Sequence, residues 1–307
     1  MNKVVSIRSK QDNILQNDKF IQRTAKMAKK ISLINMKGGV GKSTLSVNLA
    51  WHFSCYNNWR KNVLVIDLDP QFNSSQYLIG TSNYEKKIIK QNKTTVWDIF
   101  EQHTRTPLGK SKKVKPEDMT IRAATFVSGA YIDLLPSRLE LALTLKSPNQ
   151  KVELLKKAIS KIEDKYDLII IDCAPTESIL TTAAYLASDF ILVPVKPEYL
   201  STIGLPLLVN SMNDFLGEYD DSKLKLAGIV FNGCTDYYPE EMTSKNSVRQ
   251  LANDNNWDVF ESEIKFSKSY PKGAREGEPI FRTSYARTKT AENFIQFANE
   301  FAKKIGW

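Results

Sequence analysis

The chain has 307 residues, of which 42% are hydrophobic and 25% are charged, and its formal net charge is +9. These proportions are typical of a folded globular protein and exclude a wholly disordered, collagen-like or coiled-coil chain. No run of about 18 apolar residues occurs, so a membrane-spanning helix is not expected. The cysteines Cys55, Cys173 and Cys234 are widely spaced, which predicts reduced thiols in a cytoplasmic protein instead of disulfides or a zinc site.

Residues 1–30 are polar and basic, and they predict an arm or a helix attached to a folded domain. They hold eight lysines and arginines against two aspartates, with only weak helical spacing of their apolar residues. They lack the long apolar run and the small-residue cleavage site of a secretory signal. Because no linker-like composition interrupts the remainder, residues 31–307 are expected to form a single domain.

From residue 31 onward, short runs of Val, Ile and Leu alternate with stretches of helical character. The runs predict strands at residues 31–35, 63–67, 131–136, 168–172, 190–195 and 226–232. Helices are expected over residues 43–56, 149–163, 178–187 and 201–215, and an exposed loop over 101–119. Since the runs lack polar alternation, the strands should be buried on both faces. The pattern predicts an α/β fold, with a mostly parallel twisted sheet flanked by helices on both faces.

The most informative segment follows the first predicted strand and is NMKGGVGKST, residues 35–44. Its glycines let the backbone turn tightly and present amide groups to phosphate oxygens, and the following helix adds positive partial charge. Lys42 is expected to reach the β- and γ-phosphates, and the Ser43 hydroxyl to bind Mg²⁺. The predicted nucleotide-binding residues here are Lys37, Gly38, Gly39, Val40, Gly41, Lys42, Ser43 and Thr44.

Two further segments place carboxylates at the ends of predicted strands. In VLVIDLDPQ, the side chains of Asp67 and Asp69 are expected to point to opposite sides, one toward the metal ion and one toward the attacking water. Asp172 ends the run LIIID, a pattern in which the acid binds Mg²⁺ through water or accepts a hydrogen bond from Ser43. The sequence therefore predicts a phosphate-transfer site at one edge of the sheet.

The loop departs from the usual G-x-x-x-x-G-K-[ST] form, because Met36 replaces the first glycine and Lys37 adds a second lysine. In this it resembles the deviant Walker A box of the ParA/MinD family of P-loop ATPases. The resemblance implies that Lys37 reaches the partner's phosphates in a nucleotide-sandwich dimer. The D-x-D-P-Q segment resembles the family's switch I, which implies that Asp69 orients or activates the water and Asp67 supports the Mg²⁺ shell.

The resemblance and the motifs imply two kinds of role, catalysis and metal binding. The expected catalytic residues are Lys37, Lys42, Asp67 and Asp69, and the expected metal-binding residues are Ser43, Asp67 and Asp172.

Weaker similarities extend the resemblance over residues 31–303. The run GIVFN ends at Asn232, where relatives often contact the nucleotide base, and Ala174 replaces the first proline of the D-x-P-P pattern. Residues 262–280 resemble a family segment whose basic residues contact the DNA backbone. The DNA-binding residues expected in this region are Lys265, Lys268, Lys272, Arg275, Arg282 and Arg287.

Together these features predict a slow ATPase that requires ATP and Mg²⁺ and forms a homodimer on binding ATP. Its resemblance is closest to ParA-type, Soj-like partitioning ATPases. That implies non-specific binding of double-stranded DNA on the nucleoid and stimulation of hydrolysis by a ParB-like centromere-binding protein. The concentration of seven lysines and arginines against three glutamates in residues 263–289 favours DNA, since such binding depends on phosphate neutralisation.

Three other functions are less well matched. A MinD-like membrane-associated positioning ATPase is the main alternative. The apolar residues at helical spacing between 294 and 305 are better explained by a last helix packed on the sheet, so stable membrane association is not expected. An electron-transfer iron protein would need a cysteine pattern that Cys173 and Cys234 do not provide. An inactive scaffold disagrees with the intact Lys42 and Asp172.

Overall fold

A single sheet organises the computed structural model, which describes residues 27–56, 59–101, 114–146, 151–198, 201–235 and 237–307. Most of the predicted arm and residues 102–113 of the predicted loop lie outside these ranges. The strands are β1 (Lys29–Leu33), β2 (Val63–Leu68), β3 (Ile121–Thr125), β4 (Tyr131–Leu135), β5 (Leu168–Cys173), β6 (Phe190–Val195), β7 (Lys225–Cys234) and β8 (Ile264–Lys265). Their order is β3-β4-β2-β5-β1-β6-β7-β8, and every pairing is parallel except that of β3 with β4.

Helices connect the strands on both sides of this sheet. They are α1 (Lys42–Cys55), α2 (Asn73–Ile79), α3 (Thr81–Tyr84), α4 (Val96–Glu101), α5 (Leu154–Ile159), α6 (Ile179–Ala187), α7 (Ser201–Glu218), α8 (Pro239–Asp254), α9 (Ser269–Glu276) and α10 (Thr288–Lys304). A π-helical turn, Glu85–Lys90, follows α3, and 3₁₀ turns occupy Pro116–Asp118, Leu139–Lys146 and Glu163–Lys165. The mostly parallel α/β architecture expected from the sequence is confirmed.

The central strands are buried on both faces, as their apolar runs predict. Successive residues of a strand point to opposite faces of the sheet, and in the central strands they belong to two separate apolar clusters. Val65 and Ile170 pack with side chains of α1 and α10 on one face. Ile66 and Ile171 pack with side chains of α6 and α7 on the other. The phosphate-loop helix therefore covers the same face of the sheet as the last helix.

The last helix, α10, uses its apolar stripe as core. Phe294, Phe297 and Phe301 are fully buried, and Ile305 just beyond the helix is buried with them. Within the described ranges, none of the helices combines the length and apolarity needed to cross a bilayer. The spacing of these residues thus reflects packing against the sheet.

Several element boundaries differ from those predicted. β1 begins at Lys29, two residues before the predicted domain start at Ile31, and Ala28 is already buried. Of the helix predicted over 149–163, the described residues 151–163 are α-helical only from Leu154 to Ile159. Strands β3 and β8 were not predicted, because β3 is half-exposed along its length and β8 has only two residues.

Candidate functional site

The loop between β1 and α1, residues 34–41, lies at the carboxyl edge of the sheet beside the ends of β5 and β6. Gly39 and Gly41 have φ angles of +73° and +93°, a region that other residues rarely adopt. A Cβ atom on Gly41 would lie 2.2 Å from Nδ2 of Asn232, so this position also needs a glycine for close approach. Nothing lies within 4 Å of a Cβ added to Gly38 or Gly39, which leaves this part of the loop open to a ligand.

Lys42 is the first residue of α1, and its side chain folds back into the loop. Its Nζ donates to the carbonyl oxygens of Asn35 at 2.9 Å and Lys37 at 3.1 Å. Burial lowers the pKa of Lys42, while the charge of Asp172 acts in the opposite direction. The ammonium therefore lies within the loop, bonded to two of its backbone carbonyls.

Lys37, the second lysine of the loop, is held by an acid of its own chain. Its Nζ lies 2.8 Å from Oε2 of Glu198, just after β6. The same carboxylate receives Nζ of Lys196 at 3.3 Å. The hydrogen bond from Lys37 lowers the pKa of Glu198, so this acid is ionised at neutral pH. Lys37 would have to leave this partner to reach a second subunit.

Asp67 is buried near the end of β2 and is fully committed to hydrogen bonds within the chain. Its Oδ2 accepts bonds from the backbone amide and the hydroxyl of Ser75, at 2.8 and 2.6 Å. Its Oδ1 accepts the amide of Asp69 at 3.2 Å. Burial, and then the charge of Asp172, raise the pKa of Asp67 well above its usual range. This bonding pattern suits a residue that fixes the turn after β2.

Asp172 lies opposite Asp67 in the register of β2 and β5 and retains a free acceptor. Its Oδ2 accepts the hydroxyl of Ser74 at 2.6 Å, whereas its Oδ1 is buried without a hydrogen-bond partner among the described residues. Burial raises the pKa of Asp172 to about 6, although the nearby hydroxyls of Ser43 and Ser74 act to lower it. An unpaired buried carboxylate oxygen beside Ser43 fits a bound Mg²⁺ ion or one of its waters.

The expectation that Asp67 and Asp69 point to opposite sides does not follow from strand geometry, because residues two apart on a strand share a face. Both carboxylates lie close enough to Asp172 for the charges to interact. After burial, the charge of Asp172 raises the pKa of Asp67, and the charge of Asp69 contributes to raising that of Asp172. Asp69 lies just past the strand, and its Oδ1 accepts the amide of Gln71 at 2.9 Å. The three acids are therefore near neighbours at the carboxyl ends of β2 and β5.

These acids do not form a metal cage by themselves. In the described parts of the chain, no group of three His, Cys, Asp or Glu side chains is placed to enclose an ion. Mg²⁺ commonly keeps several waters and is bound by one or two protein groups together with substrate phosphates. Asp172 and Ser43 match that mode of binding better than an all-protein site.

Asn232, near the end of β7, contacts the loop. Its Nδ2 donates to the carbonyl oxygen of Val40 at 2.7 Å, and its side chain would collide with a Cβ on Gly41. The contact with a nucleotide base stays a prediction. What is present is a clamp between β7 and the phosphate loop.

The predicted DNA-binding residues separate into two groups. Lys265, Lys268 and Arg287 line one cleft of about 1030 Å³ at the β8 edge of the sheet. Lys289 and the aromatic residues Tyr237, Phe266 and Tyr285 also line this cleft, the basic cleft. Sequence reasoning counted the charge of Lys289 but did not place it with the others, and it missed the aromatic residues.

The other three basic residues lie outside the lining of the basic cleft. Lys272 pairs with Glu276 on α9 at 3.1 Å. Arg282 lies 3.6 Å from Glu278, and its guanidinium stands over the ring of Trp51 at 5.5 Å. Arg275 is exposed near the end of α9. Their charges therefore belong to a different part of the surface or are compensated locally.

Comparison with known proteins gives consistent matches along the chain. The family model AAA_31, described as an AAA domain, matches residues 28–226. The sporulation initiation inhibitor protein Soj of Bacillus subtilis is 29% identical over 90% of this chain and 99% of its own length. The chromosome-partitioning ATPase Soj of Treponema pallidum is 29% identical over 91% of this chain and 99% of its own length.

Among solved structures, a putative plasmid partition protein of Borrelia burgdorferi bound to AMPPNP has the same fold. The TM-score is 0.66 at 24% identity, covering 90% of this chain and 99% of that one. The glycine-rich loop with two lysines, the acids gathered beside it and the extent of the family match together lead to one assignment: the chain belongs to the ParA/MinD family of P-loop ATPases.

Proposed function

We propose that this protein is an ATP-dependent DNA-partitioning ATPase, in which Mg²⁺-ATP drives a homodimer that binds duplex DNA without sequence preference. Hydrolysis, stimulated by a ParB-like partner, resets the dimer. The observation that carries the proposal is that Lys37, Lys42 and the acids lie at the carboxyl ends of the strands, where β7 and β8 also end at the basic cleft. The names of the relatives from Bacillus subtilis and Treponema pallidum support the cellular role.

The nucleotide chemistry rests on positioning and charge neutralisation. Loop amides and Lys42 hold the phosphates, and Ser43 with the free Oδ1 of Asp172 would hold Mg²⁺. When bound, this ion supplies neutralisation of the charge that develops on the phosphates. Asp69 orients the attacking water and accepts its proton. Asp67 keeps Asp69 in place through the backbone amide that it binds.

Dimerisation follows from the second lysine. Within one subunit, Lys37 is bound to Glu198 at 2.8 Å, so it does not serve its own loop. A partner subunit bearing γ-phosphate offers a stronger anion than a half-exposed carboxylate, because exposed ion pairs contribute only about 0–1 kcal/mol. Lys37 of each subunit would then complete the site of the other, which makes association depend on ATP.

DNA binding is assigned to the basic cleft. Lys268, Arg287 and Lys289 are exposed there, and exposed cations that reach phosphates account for most non-specific affinity. Lysine keeps the charge of arginine without its bidentate geometry, which suits contacts that do not read sequence. A dimer doubles the number of such contacts, so ATP-dependent dimerisation places the protein on the nucleoid.

The test is binding to random-sequence duplex DNA with ATPγS, with ADP and without nucleotide, over a salt series. We expect tight binding only with ATPγS, with affinity falling steeply as salt rises. Anionic liposomes serve as the parallel surface. Liposome binding without DNA binding would replace this proposal by the membrane-positioning function, and equal DNA binding in all nucleotide states would remove the switch.

A further inference from the structure

The basic cleft has aromatic rings at its rim that phosphate neutralisation does not require. Tyr237 is 86% exposed, Phe266 63% and Tyr285 42%. Large apolar side chains grouped on a surface mark a contact site. Here they share one cleft with Lys268 and Arg287, so the partner must offer both negative charge and a flat apolar face.

The backbone holds these rings in place at two points. The amide of Phe266 donates to the carbonyl of Cys234 at 2.8 Å, which extends the pairing of β7 and β8 and fixes the base of the ring. The carbonyl of Tyr285 accepts the hydroxyl of Ser269 at 2.8 Å. The two rings therefore project from anchored positions of the chain.

The ring of Tyr285 already contacts a cation, the guanidinium of Arg287. The guanidinium of Arg287 lies 4.7 Å from the centroid of the Tyr285 ring, and it also donates to the Tyr285 hydroxyl. A guanidinium held against a phenol ring adds positive charge beside a flat aromatic ring on which a further planar group can stack. Its positive charge would meet a phosphate next to that group.

A nucleobase with its flanking phosphates has this combination of properties. The bases of an intact duplex are covered by their neighbours, whereas unpaired bases stack on exposed aromatic side chains beside a positively charged groove. The cleft volume of about 1030 Å³ is ample for a nucleotide.

Resting on the proposed function, we infer that the basic cleft accepts an unpaired base, stacked on Phe266 and Tyr285, with the neighbouring phosphates on Lys268, Arg287 and Lys289. The ligand class is single-stranded DNA. Because every base has a flat face, this contact adds affinity without sequence preference. It is therefore compatible with the non-specific DNA binding of the proposed function.

The experiment compares two fluorescent single strands of equal length, oligothymidine and the corresponding abasic strand, bound to the full chain with ATPγS. Both carry the same phosphates. We expect oligothymidine to bind about 5- to 50-fold more tightly, given the contribution of stacking per base. Phe266→Ala should reduce this difference, and Phe266→Ala combined with Tyr285→Ala should abolish it. Val127→Ala, which removes an exposed apolar side chain at the opposite edge of the sheet, should leave it unchanged.

A second readout uses Phe266→Trp, whose fluorescence should be quenched by oligothymidine and not by the abasic strand. Equal affinity for both strands, or a difference that survives the double variant Phe266→Ala, Tyr285→Ala, would overturn the inference and leave the rim as a contact for a protein. Duplex binding measured in parallel separates the cases. If duplex DNA is bound but bases make no difference, only this inference fails; if no DNA is bound, the proposed function fails with it.

Discussion

At the carboxyl ends of β2 and β5, ionisable groups are buried and hydrogen-bonded to serine hydroxyls and backbone amides, whereas in the basic cleft beside β8 they are exposed to solvent. Asp67 accepts three hydrogen bonds from its own chain, and Asp172 is fully buried beside it. Lys268 and Arg287 are exposed. Phosphate chemistry needs charges held in fixed positions away from water, while non-specific DNA binding needs only charges within reach. Substitutions should therefore act in an all-or-none manner in the first region and by degrees in the second.

The largest effect is expected from Asp69→Ala. In the proposed mechanism Asp69 orients the water and takes its proton, so its loss should lower ATP turnover by about 10²- to 10⁴-fold, with little change in ATP affinity. Turnover and nucleotide binding are measured separately, with Asp164→Ala as a control, because Asp164 is an exposed aspartate in the 3₁₀ turn before β5. Turnover at the wild-type rate would remove Asp69 from the mechanism.

A buried histidine whose ring nitrogens lack hydrogen-bond partners in the described structure should make the stability of the fold depend on pH. His52 on α1 is buried among aromatic rings, both of its ring nitrogens lack hydrogen-bond partners in the described structure, and burial lowers its pKa to about 4. The unfolded chain takes up this proton near pH 6.5 and the folded chain does not. Stability is therefore full above pH 6.5 and falls as the pH approaches 4, by about 3 kcal/mol.

His52→Phe keeps an aromatic ring and removes the proton site. Urea unfolding at several pH values should show a smaller loss of stability between pH 7 and pH 4.5 for the variant than for the wild type. Parallel pH profiles for the two proteins would show that other groups control acid stability.

A graded effect is expected in the basic cleft. Lys268→Ala combined with Arg287→Ala should weaken duplex binding about 10-fold and reduce the slope of log affinity against log salt by about 2. The matched control is Lys272→Ala with Arg282→Ala, which removes the same charge from side chains paired with Glu276 and Glu278. Equal losses from both pairs would mean that net charge alone governs binding.

The smallest effect is expected from Glu198→Gln. Releasing Lys37 from its partner in the same chain should favour ATPγS-dependent dimerisation by about 2- to 5-fold, since an exposed ion pair contributes about 0–1 kcal/mol. Sedimentation measures the dimer fraction, and Glu153→Gln controls for loss of an exposed ion pair elsewhere, with Lys157. Weaker dimerisation would instead mean that Glu198 supports Lys37 in the dimer.

Runs of Val, Ile and Leu predicted the central strands because burial on both faces leaves a clear signal in sequence. β8 leaves almost none, since it has two residues and pairs only at the sheet edge. Residues 149–163 show helical composition, yet among the described residues 151–163 only Leu154–Ile159 form α5, because the chain turns before β5 and local propensity yields to that tertiary requirement.

The identities of the site residues could be read from the sequence better than their relations. The glycines and Lys42 follow from the motif, but the bond from Lys37 to Glu198 joins residues 161 positions apart, and no local pattern indicates it. The same holds for the basic cleft. Which cations share one wall depends on where β8 ends and α10 begins, so the sequence predicted six candidates and the fold groups three of them.

β7 ends against both sites at once. Asn232 grips the phosphate loop at Val40, and two residues later the carbonyl of Cys234 carries Phe266 in the basic cleft. The end of this strand thus contacts both the phosphate loop and the basic cleft. A nucleotide that draws the loop toward its phosphates would therefore displace the same stretch of backbone that sets the wall of the basic cleft.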